Sequence, residues 1–125
     1  MKWTIIPVVA ALAVAPAAYA KKIDPCPAKL ASDVVSAKRD LDYCVNGNAC
    51  DPNLNQQVFD NAEGRLPRAG NGQTYYEGRV GQDRAGGAGN RRLVYLLIGN
   101  GPGGNTQIAN RYFTDDHYAT FCEIQ

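Results

Sequence analysis

His117, in the stretch TDDHYATF near the C-terminus, is the only histidine among the 125 residues. Set between acidic residues and a run of strand-forming ones, it is either a working acid–base group or a polar residue at a sheet edge. Acid–base chemistry without a metal or a nucleophilic cysteine needs two groups of different proton affinity and a third to hold the charge that develops. Glu77 supplies a carboxylate inside YYEGRV, where a strand usually prefers a neutral residue. Arg91 and Arg92 open the next apolar run, RRLVYLLIG. On adjacent antiparallel strands Glu77, one arginine and His117 can converge on a single phosphate. Only one arginine can do so, because neighbouring strand residues point to opposite faces. Taken singly, Glu77 also reads as a solvated strand residue, the arginines as edge charges and His117 as a hairpin flank. Spacing alone does not decide between these readings.

The elements that would position these groups follow from the pattern around them. From Pro27 to Tyr43, and on to Cys44, the residues Leu30, Val34, Ala37, Leu41 and Cys44 fall on one stripe of an amphipathic helix, with Pro27 suited to its first turn. Leu54 to Ala62 is either a second, shorter helix or an irregular loop, and GRLPRAGNGQ is a surface connection. The period then changes. TYYEGRV, RRLVYLLIG, ANRYF and HYATFCEI are short β-branched and aromatic runs separated by turn-rich segments. Helix first and strands afterwards imply an α+β domain, an N-terminal helix packed on a twisted antiparallel sheet of about four to five strands. The run from Gly99 to Gly104 satisfies GxGxxG, but a strand-like segment follows it rather than a helix, so it reads as a hairpin loop and not a dinucleotide site.

Residues 1–20 have a positive start at Lys2, an apolar middle and the A-x-A signal Ala18-Tyr19-Ala20, which together predict a secretory signal peptide cleaved after Ala20. It is too short at its apolar middle for a membrane span. Residues 21–125 then form one domain, secreted or periplasmic, with no membrane association. Losing Lys2 takes the 13 basic residues to 12, equal to the 12 acidic ones, which excludes coating of a nucleic acid by a broadly basic surface. Cys26, Cys44, Cys50 and Cys122 make an even count in an exported chain, which predicts two disulfides. No CxxC spacing exists and one histidine cannot complete the usual ligand set, so no metal is expected. Of three pairings, Cys26–Cys122 with Cys44–Cys50 is preferred.

Four segments in order, FDNAEGRLP, YYEGRV, RRLVY and DHYATF, resemble the microbial guanyl-specific ribonucleases, the barnase family. They run from about Phe59 to Ile124. The resemblance implies a metal- and cofactor-free endoribonuclease that cleaves single-stranded RNA by transesterification to a 2′,3′-cyclic phosphate and then hydrolyses it. It implies Glu77 as general base, His117 as general acid and Arg92 as the group that steadies the phosphate charge. It further implies that backbone N–H groups of Asp60, Asn61 and Ala62 wrap guanine, that Glu63 accepts from its N1 and N2 edge, and that Phe59 and Tyr118 stack on the base. A monomer, and a barstar-like inhibitor inside the producing cell, are its expected associations.

The chain departs from the family at two arginines. A second phosphate-site arginine is replaced by Ala88, leaving Arg91, Arg79 or Arg84 to supply the charge, and a guanine-loop arginine is replaced by Ala62. Weaker substrate binding is the expectation. The connection between the second and third strand-like runs is also longer than in the smallest relatives, and either lengthens a hairpin or borders the cleft. The competing functional readings are a catalytically inactive relative that binds RNA or a protein, and a small disulfide-bonded inhibitor or adhesive domain.

Overall fold

A computed structural model describes residues 22–99 and 101–125; the expected signal peptide and Lys21 lie outside them. Among the described residues one helix, α1 (Ser32–Val45), precedes a 3-10 turn at Pro52–Leu54 and five strands: β1 (Gln57–Val58), β2 (Gln73–Arg79), β3 (Arg92–Ile98), β4 (Gln107–Thr114) and β5 (Cys122–Ile124). The strands pair antiparallel in the order β1-β2-β3-β4-β5. Sequence neighbours are therefore sheet neighbours, as hairpin-linked segments require.

The central strand β3 is buried on both faces, which explains its unbroken apolar run. Leu93, Tyr95 and Leu97 face α1 and join Val34, Ala37, Leu41, Cys44 and Val45 in the larger core. Val94 and Leu96 face the other way, into a smaller cluster with Leu66, Tyr75 and Tyr112 that Phe59, Tyr118 and Phe121 border. Gly78 lets the helix approach: a Cβ there would sit 3.4 Å from the Leu41 methyls. Its neighbour Glu77 is thereby turned to the face away from α1.

Three local expectations need correction. The helix starts at Ser32, not at Pro27. The preceding segment is held extended against β5, through Cys26 N–H to the Glu123 carbonyl and Glu123 N–H to the Asp24 carbonyl, both 2.8 Å, and it cannot also wind. The segment Leu54–Ala62 is not a helix but ends a 3-10 turn and then pairs Gln57 and Val58 with β2. His117 does not open the last strand; that strand begins only at Cys122, and His117 lies in the loop before it. Gly99 and Gly101–Gly104 lie between β3 and β4, and Gly103 N–H donates to the Val45 carbonyl at 3.0 Å, so the lengthened connection leans on the end of α1.

Disulfides join Cys26 to Cys122 and Cys44 to Cys50, at sequence separations of 96 and 6. Chain-entropy reasoning makes the first closure worth about 4–5 kcal/mol and the second about 2 kcal/mol. Replacing Cys26 and Cys122 together by alanine is therefore expected to lower the unfolding free energy roughly twice as much as the same change at Cys44 and Cys50, measured by urea titration.

Candidate active site

Glu77 sits in the middle of β2 and is buried, at 5 % exposure. An unpaired carboxylate there would be costly, so donors must reach it. Two do, and both choose the same oxygen. Gln57 Nε2, directly opposite on β1, donates to Oε1 at 2.8 Å, and Tyr118 O–H donates to it at 2.9 Å. Burial and the Glu77 carboxylate push the Tyr118 phenol up to about 12, with Arg92 opposing. The phenol thus remains a donor throughout the neutral range.

Arg92 opens β3 and is as buried as Glu77, at 6 % exposure. Its Nη1 donates to the carbonyls of Ala88, Gly89 and Arg91 at 3.2, 3.1 and 2.8 Å, which fixes the guanidinium in place. Its Cζ lies 5.9 Å from the centre of the Tyr118 ring. Arg91 points the other way and ion-pairs with Asp33 of α1, so it is committed to the helix side. The register instead places Arg79 directly opposite Arg92.

His117 and Tyr118 have φ values of 55° and 73°, two consecutive side-chain-bearing residues in the left-handed region. Such a conformation is strained and persists only when its surroundings impose it. The restraint is visible. His117 N–H donates to the Asn90 carbonyl at 2.9 Å. Thr114 Oγ1 accepts from Tyr118 N–H at 3.1 Å and donates to Asp116 at 2.9 Å. Asp116 in turn accepts from the Thr120 hydroxyl at 2.6 Å and the Thr120 N–H at 2.9 Å. The result sets the exposed His117 ring 4.8 Å from the Tyr118 ring, centre to centre. Glu77, Arg92 and His117 therefore gather around one tyrosine.

Beside them lies a pocket of about 230 Å³ lined by Phe59, Asp60, Asn61, Ala62, Glu63, Arg65, Tyr118 and Phe121. Every residue of the expected base-binding group borders it. A larger open groove of about 840 Å³ shares Phe59, Asp60 and Asn61 but not Ala62, Glu63 or Tyr118, and none of Glu77, Arg92 and His117 lines either cavity. Asn61 tolerates a φ of 53° and uses its side chain to brace the loop, donating to the Leu66 carbonyl at 3.0 Å and accepting from Leu66 N–H at 3.2 Å. Two expected guanine contacts are already engaged. Ala62 N–H donates to Asp60 Oδ1 at 3.0 Å, and Glu63 Oε2 accepts from Arg65 Nε at 2.8 Å. Phe59 and Tyr118 stack on each other, at 5.1 Å between ring centres and 21° between planes, which leaves no space for another ring between them. Among the described residues no group of three or more His, Cys, Asp or Glu side chains is placed to hold a metal ion.

Gln57, the Tyr118 hydroxyl, Arg65 and the Thr114–Asp116 brace went unrecognised in the sequence. Gln57 would have been found had β1 been paired with β2, since it falls opposite Glu77. The others carry no sequence signal of their own.

A family model described as ribonuclease matches residues 16–125. Among solved structures, ribonuclease Sa2 with guanosine-2′-cyclophosphate is similar at 33 % identity, covering 84 % of this chain and 97 % of that one, with a TM-score of 0.57. Ribonuclease Sa2 in complexes with mononucleotides aligns at 31 % identity over 84 % of this chain and 96 % of that one, TM-score 0.60. Ribonuclease Sa2 with exo-2′,3′-cyclophosphorotioate gives 35 % identity over 83 % and 97 %, TM-score 0.56. No curated protein matches the chain.

The hydrogen bonds from Thr120, first its hydroxyl and then its N–H, hold the Asp116 carboxyl down at about 2 against an ordinary 3.8. A lowered folded value means the stabilisation is complete above the ordinary value and is lost as pH falls through the folded one. Amide protection at Thr120 and Tyr118 is expected to fade between about pH 4 and pH 2. In Asp116→Ala it should already be weak at pH 6, and on the reading of His117 as general acid kcat/KM on RNA should fall about tenfold or more.

Proposed function

The chain belongs to the ribonuclease family, and from that premise we propose that it is a guanine-preferring endoribonuclease that cleaves single-stranded RNA without a metal ion. The observation that supports this reading most is the gathering of Glu77, Arg92 and His117 around Tyr118, next to a pocket bordered by the whole Phe59–Glu63 segment. Ribonuclease Sa2, the similar structure, has been solved with guanosine-2′-cyclophosphate.

In the proposed mechanism the Glu77 carboxylate takes the proton of the ribose 2′-hydroxyl. With Oε1 holding two donors, Oε2 is the oxygen that receives it. The 2′-oxygen attacks phosphorus, the bond to the 5′-oxygen breaks, and protonated His117 gives that oxygen its proton. Arg92, immobilised before substrate arrives, stabilises the charge that collects on the phosphate oxygens. In the second step neutral His117 takes a proton from water and Glu77 returns one to the 2′-oxygen, leaving a 3′-phosphate. DNA is no substrate because it has no 2′-hydroxyl. Arg79 is the arginine best placed by register to replace the charge absent at Ala88. Base selection falls to the Phe59–Glu63 pocket, with Asp60, Asn61 and Ala62 supplying backbone donors and Glu63 the acceptor. Ala62 N–H must leave Asp60 to take part.

Two disulfides fit an oxidising compartment, and with the leader reading of residues 1–20 they support export of a single domain, residues 21–125. The protein is proposed to act as a monomer, with a barstar-like inhibitor protecting the cell that makes it.

The test uses the oxidised protein in EDTA with the dinucleotides GpA, ApA and UpA. Rapid cleavage of GpA to a guanosine 2′,3′-cyclic phosphate is expected. Its rate should be bell-shaped in pH, because one group must be deprotonated and the other protonated in the same step. His117→Ala should lose about 10²- to 10⁴-fold. A folded protein that binds guanosine monophosphate but cleaves none of the three would contradict the enzymatic reading and favour a binding module.

A further inference from the structure

We propose that Arg65 is a specificity-determining residue, a planar clamp that fixes the Glu63 carboxylate in the base pocket and fastens the guanine loop to the His117 loop. The proposal rests on the guanine-preferring reading above and adds to it a residue that acts through Glu63.

Arg65 Nε donates to Glu63 Oε2 at 2.8 Å, and Arg65 Nη1 donates to the Ala119 carbonyl at 3.1 Å. The two acceptors belong to different loops, 54 residues apart for the Ala119 bond, and both border the same pocket or the loop that carries His117. An exposed ion pair contributes little by itself, and this one is exposed, with side-chain accessibilities of 47 % and 70 %. Its importance is therefore geometric and not a matter of stability. A guanidinium is a rigid fork, so when one nitrogen is held by the Ala119 carbonyl the direction of the other is fixed as well. The Glu63 carboxylate then inherits a set orientation from the catalytic loop.

That orientation matters for discrimination. Guanine offers two adjacent donors, N1–H and N2–H, whereas adenine offers an acceptor at N1. A carboxylate held still meets adenine with a like-signed oxygen and cannot turn aside. A carboxylate free to rotate can. Oε2 takes only one bond from Arg65, which leaves its second lone pair and Oε1 for the two guanine donors. Arg65 also returns a guanidinium to the pocket bordered by Ala62, where the family's loop arginine is missing. Removing the clamp should thus weaken rejection of adenine more than it weakens stability.

The experiment measures kcat and KM for GpA and ApA in the full oxidised protein, in Arg65→Ala and Arg65→Lys, and in both backgrounds of Glu63→Ala. The GpA-to-ApA ratio of kcat/KM should fall about fivefold in Arg65→Ala. It should be only partly restored in Arg65→Lys, whose single ammonium cannot fork. In the Glu63→Ala background the Arg65→Ala change should leave the ratio where it is. A ratio unchanged by Arg65→Ala, or lowered equally with and without Glu63, overturns the proposal. Amide hydrogen exchange without substrate reads the fastening directly. Faster exchange at Gly64 and Ala119 together in Arg65→Ala is expected, and unchanged exchange at either refutes the clamp. Wild-type protein that cleaves ApA as readily as GpA defeats the guanine reading, a failure the exchange measurement does not share.

Discussion

A carboxylate buried in the middle of a strand must be given donors, and the architecture around Glu77 is arranged to supply them. Gln57 reaches it across the sheet, and Tyr118 reaches it from a loop that begins at the far end of β4. Delivering Tyr118 requires two consecutive left-handed residues, and Thr114, Asp116 and the Asn90 carbonyl hold them there. The strain and its restraint are therefore consequences of one hydrogen bond to one buried charge. On the proposed mechanism the same bond places the acid within reach, because His117 is the residue next to Tyr118.

On the proposed mechanism the sheet separates stability from chemistry by its two faces. Its larger core lies under α1, where Leu41 and Leu97 are wholly buried. The opposite face has a smaller cluster of Leu66, Tyr75, Val94, Leu96 and Tyr112, bordered by Phe59, Tyr118 and Phe121 together with Ile23 and Ala69. The neighbouring arginines of β3 express this division. Arg91 secures the helix through Asp33, and Arg92 is pinned by three carbonyls beside Tyr118. A charge exchanged between these two positions would serve neither face.

Much of this was legible in the sequence and some was not. The change from a helical to an alternating period located α1 and strands β2 to β4. The alternation rule alone separated Arg91 from Arg92. Boundaries failed where long-range bonds compete with local preference, as at Pro27, whose neighbour Cys26 is tied to β5. HYATFCEI reads as strand throughout because its aromatic residues favour strands, yet its first half is a loop held by the short-range bonding of Thr114 and Asp116. Such bonds depend on backbone torsions that residue types do not encode. Gln57 was hidden for another reason: a two-residue strand has no period to detect.

The central claim is that the Tyr118 hub and the Phe59–Glu63 pocket form one site, chemistry and base recognition side by side. A crystal structure of the protein with guanosine 3′-monophosphate tests it most directly. The account predicts the base against Phe59 with its N1 and N2 edge on Glu63, and the phosphate bonded to Arg92 and His117 close to the Tyr118 hydroxyl. Nucleotide seated in the larger groove beyond Asn61, with its phosphate away from Arg92, would contradict it.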